Sequence, residues 1–473
     1  MKKPLVRDTI KYLPNKIVTF VVGFFSVPLL TRLFKPEDFG NYNLVLATVS
    51  FFSIAFAWIS QSFIRFYPEY EQKGAVDEFN STAVKLTLAT ILVTSLSYYT
   101  LLWLRKSSMS TSLYLLYLAG GGMLATQTIF NMLTSYLRVK RNINTYTVVS
   151  TIKVAGAFCI GIAIVLALRV GIHGLIIGNM LVLLALTPYL YQKAIRKMEW
   201  KLPINKQLAV EMALFSIPLV LSNISALIIS LSDRFFISHF RNAFELGLYS
   251  ANYNLIDHTI NAITSLLLLS SYPLGVKIFT EKGSENVKLF ESQAMQTYLF
   301  LSVPAVIGII ILPKEITALF MGNEYATGYV IAPIIAVGSF LFGMQQRYQG
   351  VLLYYKKTKF ITTAILTAAI VNVLLNILFI PLYGSNAAAI TTAVSYLIML
   401  ILMIVFSKKY LSWKFPFKYL FKVLFVTLLM SSVIIYLKPF IMKVGKIGCG
   451  VLGVIGMAVY FGVYTIITRN NET

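Results

Sequence analysis

A chain of 473 residues that is 57% hydrophobic and only 12% charged, with a mean hydropathy of +0.75, leaves no stretch for a soluble catalytic domain. The net charge of +23 would suit nucleic acid, but the basic residues sit in short connections between apolar runs, which argues against that partner. Two cysteines, Cys159 and Cys449, and three scattered histidines, His173, His239 and His258, exclude a disulfide framework and a histidine metal cluster.

A bilayer crossing takes ~20 mostly apolar residues. In chain order such windows are predicted at 13–34, 41–64, 82–104, 112–137, 145–168, 171–192, 210–236, 246–273, 293–313, 328–353, 361–380, 386–407, 417–437 and 446–467. No alternating barrel pattern is present, so helices must satisfy the backbone in these spans. Met1-Lys2-Lys3 looks like the start of a signal peptide, yet the apolar run behind it is too long and no small-residue cleavage pattern follows; a retained first helix is expected. With the N-terminus inside, 28 of the 41 basic residues fall on inner connections and helix ends. That bias predicts both termini in the cytoplasm and a basic inner face against anionic lipid. The connections 65–81 and 274–292, which mix acids and bases, are expected to form short surface helices.

The chain repeats itself. Gly40-Asn41-Tyr42 recurs as Gly247-Leu248-Tyr249, each after an arginine, Arg32 and Arg234, at the end of the preceding span. Gln127 and Asn131 recur as Gln345 and Gln349. The offsets are 207 and 218 residues, six spans in each case, so the copies share one membrane orientation. The expected fold is an all-α integral membrane protein of about fourteen transmembrane helices. Two six-helix lobes, 1–206 and 207–410, form a pseudo-twofold parallel repeat, and two further helices occupy 411–473, with 193–207 as linker.

Polar groups inside a bilayer are expensive and usually face a cavity or a partner helix. Ser250, Asn254, Asp257, Asn261 and Ser265 lie at steps of three and four on one helical face, with His258 beside them. Asp257 is the candidate for a coupling cation, H+ or Na+, or for sensing the membrane potential, which is worth ~2.3 kcal/mol per charge per 100 mV. A hydrogen-bonded seam between helices explains the same stripe. Asn15, Thr19, Gly23 and Ser26 mark span 1; Ser216, Asn223, Ser230 and Arg234 mark span 7. Both spans carry proline and are candidates for the interface between lobes, or for small-residue packing.

Five cations lie in or near span ends: Lys16, Arg32, Arg65, Arg234 and Arg347. The arginine fork suits phosphate, so cations at both mouths of a cavity would pass an anionic head group between them; snorkelling to head groups is the other reading. Asp233 has a neighbouring cation to pair with, and Lys153 reads as a snorkeller. Gln127, Asn131, Gln345 and Gln349, like Asn372 and Asn376, suit sugar hydroxyls or interhelical bonds. The chain has no Gly-rich phosphate loop ending in Lys-Ser or Lys-Thr, no HExxH and no GxSxG, which argues against ATP drive and against those hydrolytic centres.

Phe39-Gly40-Asn41-Tyr42-Asn43-Leu44 after Lys35-Pro36-Glu37-Asp38, then Arg65-Phe66-Tyr67-Pro68-Glu69-Tyr70, resembles the polysaccharide-biosynthesis flippase family. So does Ser232-Asp233-Arg234-Phe235-Phe236-Ile237 followed by Gly247-Leu248-Tyr249-Ser250-Ala251. The resemblance implies kinship with lipid II flippases and multidrug extruders, two lobes about a cationic cavity, and alternating access. Its implied cargo is an undecaprenyl-pyrophosphate-linked oligosaccharide, moved from the inner to the outer leaflet of a bacterial cell membrane. Arg65 matches the second-helix arginine of that cavity, and Lys16 its first-helix cations more loosely. Lipid II flippases carry arginine in span 8 where this chain has Asp257-His258, which argues against lipid II itself. The alternatives are a cation-coupled drug extruder, a multispan polymerase acting on lipid-linked sugars, and a scaffold in a polymerase complex.

Overall fold

The computed structural model describes residues 2–195 and 202–469. Every regular element among them is helical. In order these are α1 Lys2–Leu33, α2 Pro36–Ser53, α3 Ala57–Gln72, α4 Val76–Arg105, α5 Thr111–Val139, α6 Ile143–Leu168, α7 His173–Ala194, α8 Lys206–Phe240, α9 Ala243–Ile311, α10 Pro313–Phe320, α11 Ala332–Tyr354, α12 Thr358–Lys408, α13 Phe417–Ile441 and α14 Ile447–Arg469. Short 3-10 turns join several of them. One, Ile54–Phe56, tightens the second span between α2 and α3.

Twelve segments among the described residues are long and apolar enough to cross a membrane. Two of them reverse. α12 contains Gly384 at φ 62°, ψ −139°, and α9 contains Gly283 at φ 79°, ψ −177°; a side chain at either would strain the backbone. In a straight helix Asn376 and Thr391 would stand ~22 Å apart, yet the Thr391 hydroxyl donates to Asn376 Oδ1. A Cβ on Gly275 would likewise lie 3.1 Å from the ring of Phe290. Each of these helices therefore makes two passes, and the chain is a multi-pass membrane protein with the expected number of spans.

The expected short surface helices at 65–81 and 274–292 are absent as separate elements. α3 runs on to Gln72 and turns at Gly74, φ 67°, before α4. The 274–292 segment continues α9 on both sides of Gly283. Helix simply continues through both stretches, because adding one more hydrogen bond per residue is easy once a turn exists.

Compactness divides the chain into two units, 1–26 with 38–235, and 27–37 with 236–473. This division differs from the lobe boundary expected at 206/207: α8 stays with the first unit up to Phe235. The linker of 193–207 lies partly outside the described residues. The first unit has an aromatic core in which Phe63 of α3 meets Tyr136 of α5 at 4.5 Å and Phe79 of α4 at 5.3 Å, both edge-on. Ser62 and Ser216 share a buried 2.9 Å hydrogen bond that ties α3 to α8. In the second unit α13 and α14 bury Val426, Met430, Leu452 and Tyr460 around Leu312, and Tyr460 donates to the carbonyl of Phe300 at 2.8 Å. The two-helix tail is thus packed onto α9 as part of the second unit. Cys449 is buried, as a packing residue should be, whereas Cys159 is exposed on α6.

The repeated Gly247 has a packing cause. A Cβ there would fall 1.8 Å from the carbonyl oxygen of Pro36, so glycine is required by close approach of two backbones rather than by φ. Glu245, two residues earlier, accepts the Ser385 N–H at 2.5 Å just after the α12 reversal.

Candidate functional site

In the first unit the cations gather at the end of α3. Arg65 and Lys73 flank Glu69 at helical spacing of four, so all three share a face. Arg65 Nη1 lies 3.2 Å from Glu69 Oε2, and Lys73 Nζ lies 2.8 Å from Oε1. Hydrogen bonding to Glu69 holds the Lys73 ammonium above its usual range. Arg65 remains 55% exposed, and an exposed pair is worth only ~0–1 kcal/mol. Glu69 therefore orients the guanidinium without trapping it. Arg138 of α5 donates to Ser60 at 3.3 Å and Ser135 at 3.2 Å, so a second arginine is tied to α3 little more than one turn before Arg65. In the sequence Arg138 is one of the 28 basic residues on inner connections and helix ends. It stands seven residues after Asn131 as Lys356 stands seven after Gln349, and that parallel is the signal the sequence offers.

The remaining first-unit candidates are less assembled. Asn15 is half-buried and Lys16 exposed on α1. Thr19 and Ser26 donate to carbonyls of their own helix, at 2.7 Å and 2.9 Å, which satisfies those hydroxyls without a ligand. Asn223 on α8 and Gln127 on α5 are half-buried. Arg234 is not an open cation at a span end: it is 4% exposed. Its Nη1 donates to the Ser230 carbonyl at 2.8 Å and lies 3.5 Å from Asp233 Oδ1. Burial this deep requires a counter-charge, and Asp233 supplies it.

The second unit holds a polar line between α9 and α11. Asp257 Oδ1 accepts from Asn261 Nδ2 at 2.8 Å and from Ser339 Oγ of α11 at 2.7 Å. Asn254 is half-buried one turn earlier, and Ser265 is exposed. Six residues beyond Ser339, ~9 Å along the helix, Gln345 is 1% exposed with its Oε1 unpartnered among the described residues. Arg347 follows, 6% exposed, with Nη1 4.0 Å from Glu291 Oε2; Glu291 is 1% exposed and accepts the Tyr354 hydroxyl on Oε1 at 2.7 Å. Gly275 makes room for that hydroxyl, since a Cβ there would meet it at 2.0 Å. Glu291 is the residue that sequence reasoning missed. It lies in a stretch of mixed charge that reads as surface, and only the reversal at Gly283 carries it inside.

Asn372 and Asn376 are buried in the first arm of α12; Asn376 donates to Asn372 at 3.1 Å and accepts from Thr391 of the second arm. Arg32 is exposed, and its Nη2 donates to the Leu319 carbonyl at 2.8 Å, in the last turn of α10, where helix carbonyls lack partners. With Lys35, Lys446 and Glu324 it lines a cavity of about 430 Å3.

Chemically, then, the first unit offers exposed guanidinium and ammonium groups lightly held by one carboxylate. The second offers a half-buried carboxylate with two donors, a buried arginine and an unsatisfied amide.

Residues 29–330 match the family model described as polysaccharide biosynthesis protein. The chain belongs to this family. No curated relative of this polysaccharide biosynthesis protein matches it in sequence. Among solved structures its fold is that of the lipid II flippase MurJ in an inward closed conformation, with a TM-score of 0.79 at 18% identity, covering 99% of this chain and 100% of that one. An inward-facing multidrug resistance MATE family transporter of the MOP superfamily matches with a TM-score of 0.68 at 12% identity, over 85% of this chain and 97% of that one. A MOP superfamily transporter from Pyrococcus furiosus, noted for the reverse polarity of its binding pocket, matches with a TM-score of 0.57 at 12% identity, over 86% and 94%.

Proposed function

We propose that this polysaccharide biosynthesis protein is a secondary-active flippase. Its cargo is an undecaprenyl-pyrophosphate-linked oligosaccharide, a precursor of a cell-surface polysaccharide such as capsule or lipopolysaccharide. It moves that cargo from the inner to the outer leaflet of a bacterial cell membrane by alternating access, with both termini cytoplasmic. The observation that carries this reading is coverage. The flippase fold spans 99% of the chain, whereas the extruder leaves about 15% uncovered, a share close to that of residues 411–473. Arg65 receives the pyrophosphate, because forked donors match phosphate oxygens, and Arg138, bonded to Ser60 of the same helix, offers a second fork. Arg347 is a second anion site once it exchanges Glu291 for phosphate. Amides such as Asn15, Asn223, Asn254, Asn261, Gln127 and Gln345 bond sugar hydroxyls, and Lys16 and Arg32 add positive potential, whereas Arg234, balanced by Asp233, adds none.

The deciding experiment deletes the gene and measures undecaprenyl-linked intermediates by mass spectrometry. A complete repeat unit should accumulate, accessible only from the cytoplasmic side. Unchanged intermediates with normal surface polymer would overturn the proposal.

Asp257 favours a second feature of the reading, coupling to H+, Na+ or the membrane potential, as a cation-coupled drug extruder of the same superfamily would also require. In Asp257→Asn the amide oxygen can still accept from Asn261 and Ser339. The variant should fold and melt like the parent but lose its dependence on an imposed cation gradient in proteoliposomes. Gradient-driven transport that persists in D257N removes Asp257 from coupling, and efflux of dyes by the parent would favour the extruder.

A further inference from the structure

Lys153 of the first unit, expected to snorkel, does not. It stands ten residues beyond the start of α6 at Ile143, ~15 Å along the helix. Its Nζ rests 5.0 Å from the centre of the Phe130 ring. Phe130 lies nine residues before the end of α5 at Val139, ~14 Å from it. The two helices meet in the short connection 140–142, so the ammonium stays near the depth of its own backbone. That is well within a ~30 Å hydrocarbon core, short of the polar boundary where a snorkelling head would sit. One turn to either side, Val149 and Ala157 are buried, whereas Val148 and Ile152, 56% and 46% exposed, belong to the apolar outer row.

No carboxylate or hydrogen-bond acceptor meets this ammonium among the described residues; the ring is its partner. The attraction of a ring for an ammonium falls short of the cost of holding a charge at this depth. A cation kept there in that state serves a ligand rather than the fold.

The neighbouring face of α5 says which ligand. Gln127, Asn131, Ser135 and Arg138 follow at steps of four, four and three, so they share one face. Phe130, three residues after Gln127, stands at its edge. The Gln127 and Asn131 amides are half-buried and have no partner among the described residues. Two uncommitted amides beside an ammonium suit a group that carries both hydroxyls and a negative charge. Arg138 lies eight residues from Phe130, ~12 Å along the helix, so a phosphate held there leaves Lys153 to the sugars. An ammonium is a compact point charge and matches a single carboxylate, where phosphate favours the arginine fork.

We propose that Lys153 recognises a carboxylate on the sugar portion of the transported lipid, so that the cargo is an acidic oligosaccharide. This rests on the flippase reading and adds the chemical class of its sugar.

The test is binding of two probes to the full chain in detergent, read by native mass spectrometry. One is an undecaprenyl-pyrophosphate-linked oligosaccharide containing glucuronic acid; the other is the same lipid with that carboxyl reduced to the alcohol. The parent should bind the acidic form roughly tenfold more tightly, as one charged hydrogen bond implies. K153M should bind both forms alike, at the level of the reduced one, and K153R should keep the preference. K153M should also melt above the parent, because it removes an unpaired charge from apolar surroundings. A lower melting point would make Lys153 a structural partner of Phe130 and overturn the proposal. So would equal binding of both forms by the parent, or a preference that survives in K153M. Equal loss of both forms in K153M would mean that Lys153 holds the pyrophosphate, and would overturn it too. The parent comparison needs no variant and decides even if K153M folds poorly. Binding of neither probe by the parent would refute the flippase reading, and this one with it.

Discussion

Glu291→Ala is expected to lower the thermal stability of the purified protein by ~3–5 kcal/mol, the cost of leaving one member of a buried ion pair alone. The substitution strips Arg347 of its carboxylate at 4.0 Å and Tyr354 of its acceptor at 2.7 Å, and both partners are buried. Replacing both charges, E291Q/R347M, should recover much of the loss, because no uncompensated charge then remains. Melting curves in detergent decide the matter; an E291A protein that melts like the parent would show that the pair carries no weight. The double variant also separates structure from transport. Arg347 stands 4.0 Å from its carboxylate, beyond hydrogen-bond distance, and Glu291 Oε2 has no hydrogen bond among the described residues. An incoming phosphate can compete for such an arginine. A stable E291Q/R347M protein that no longer supports polymer export fits that role, and one that exports normally refutes it.

Arg65→Ala should behave in the opposite way, folding normally while failing to export. Its pair with Glu69 is exposed and contributes ~0–1 kcal/mol, so membrane levels should match the parent. A charged hydrogen bond to phosphate is worth ~1.5–3 kcal/mol, which predicts roughly a ten- to hundredfold loss of flipping. Arg65→Lys should fall between, since an ammonium keeps the charge but loses the fork. Surface polymer measured against the amount of protein in the membrane fraction tests this. Normal export by R65A would end the assignment, and a fall in membrane level as large as the fall in export would make Arg65 a folding residue.

The contrast between these two arginines shows where sequence reasoning stops. Both were picked out as cations near the ends of apolar spans. Their burial, 55% exposed side chain against 6%, depends on neighbours distant in the chain. Arg234 was placed at an open span end for the same reason, and it is buried with Asp233. Glu291 went unremarked because local composition around it reads as surface. Asp257, by contrast, was legible: its spacing from Asn261 is helical, and the hydrogen bond between them is local. The bond from Ser339 was not, since it needs α11 beside α9.

The list of spans, their number and the all-helical class could be read one segment at a time. Bilayer thickness is a ruler applied to every run of residues separately, and backbone hydrogen bonds in lipid leave only the helix. Which polar side chains are exposed, which are paired and which meet across helices became clear only once the chain was folded. Those are contacts between segments far apart in the chain, set by reversals at Gly283 and Gly384 and by the approach of Gly247 to Pro36, and no local pattern of residues encodes them.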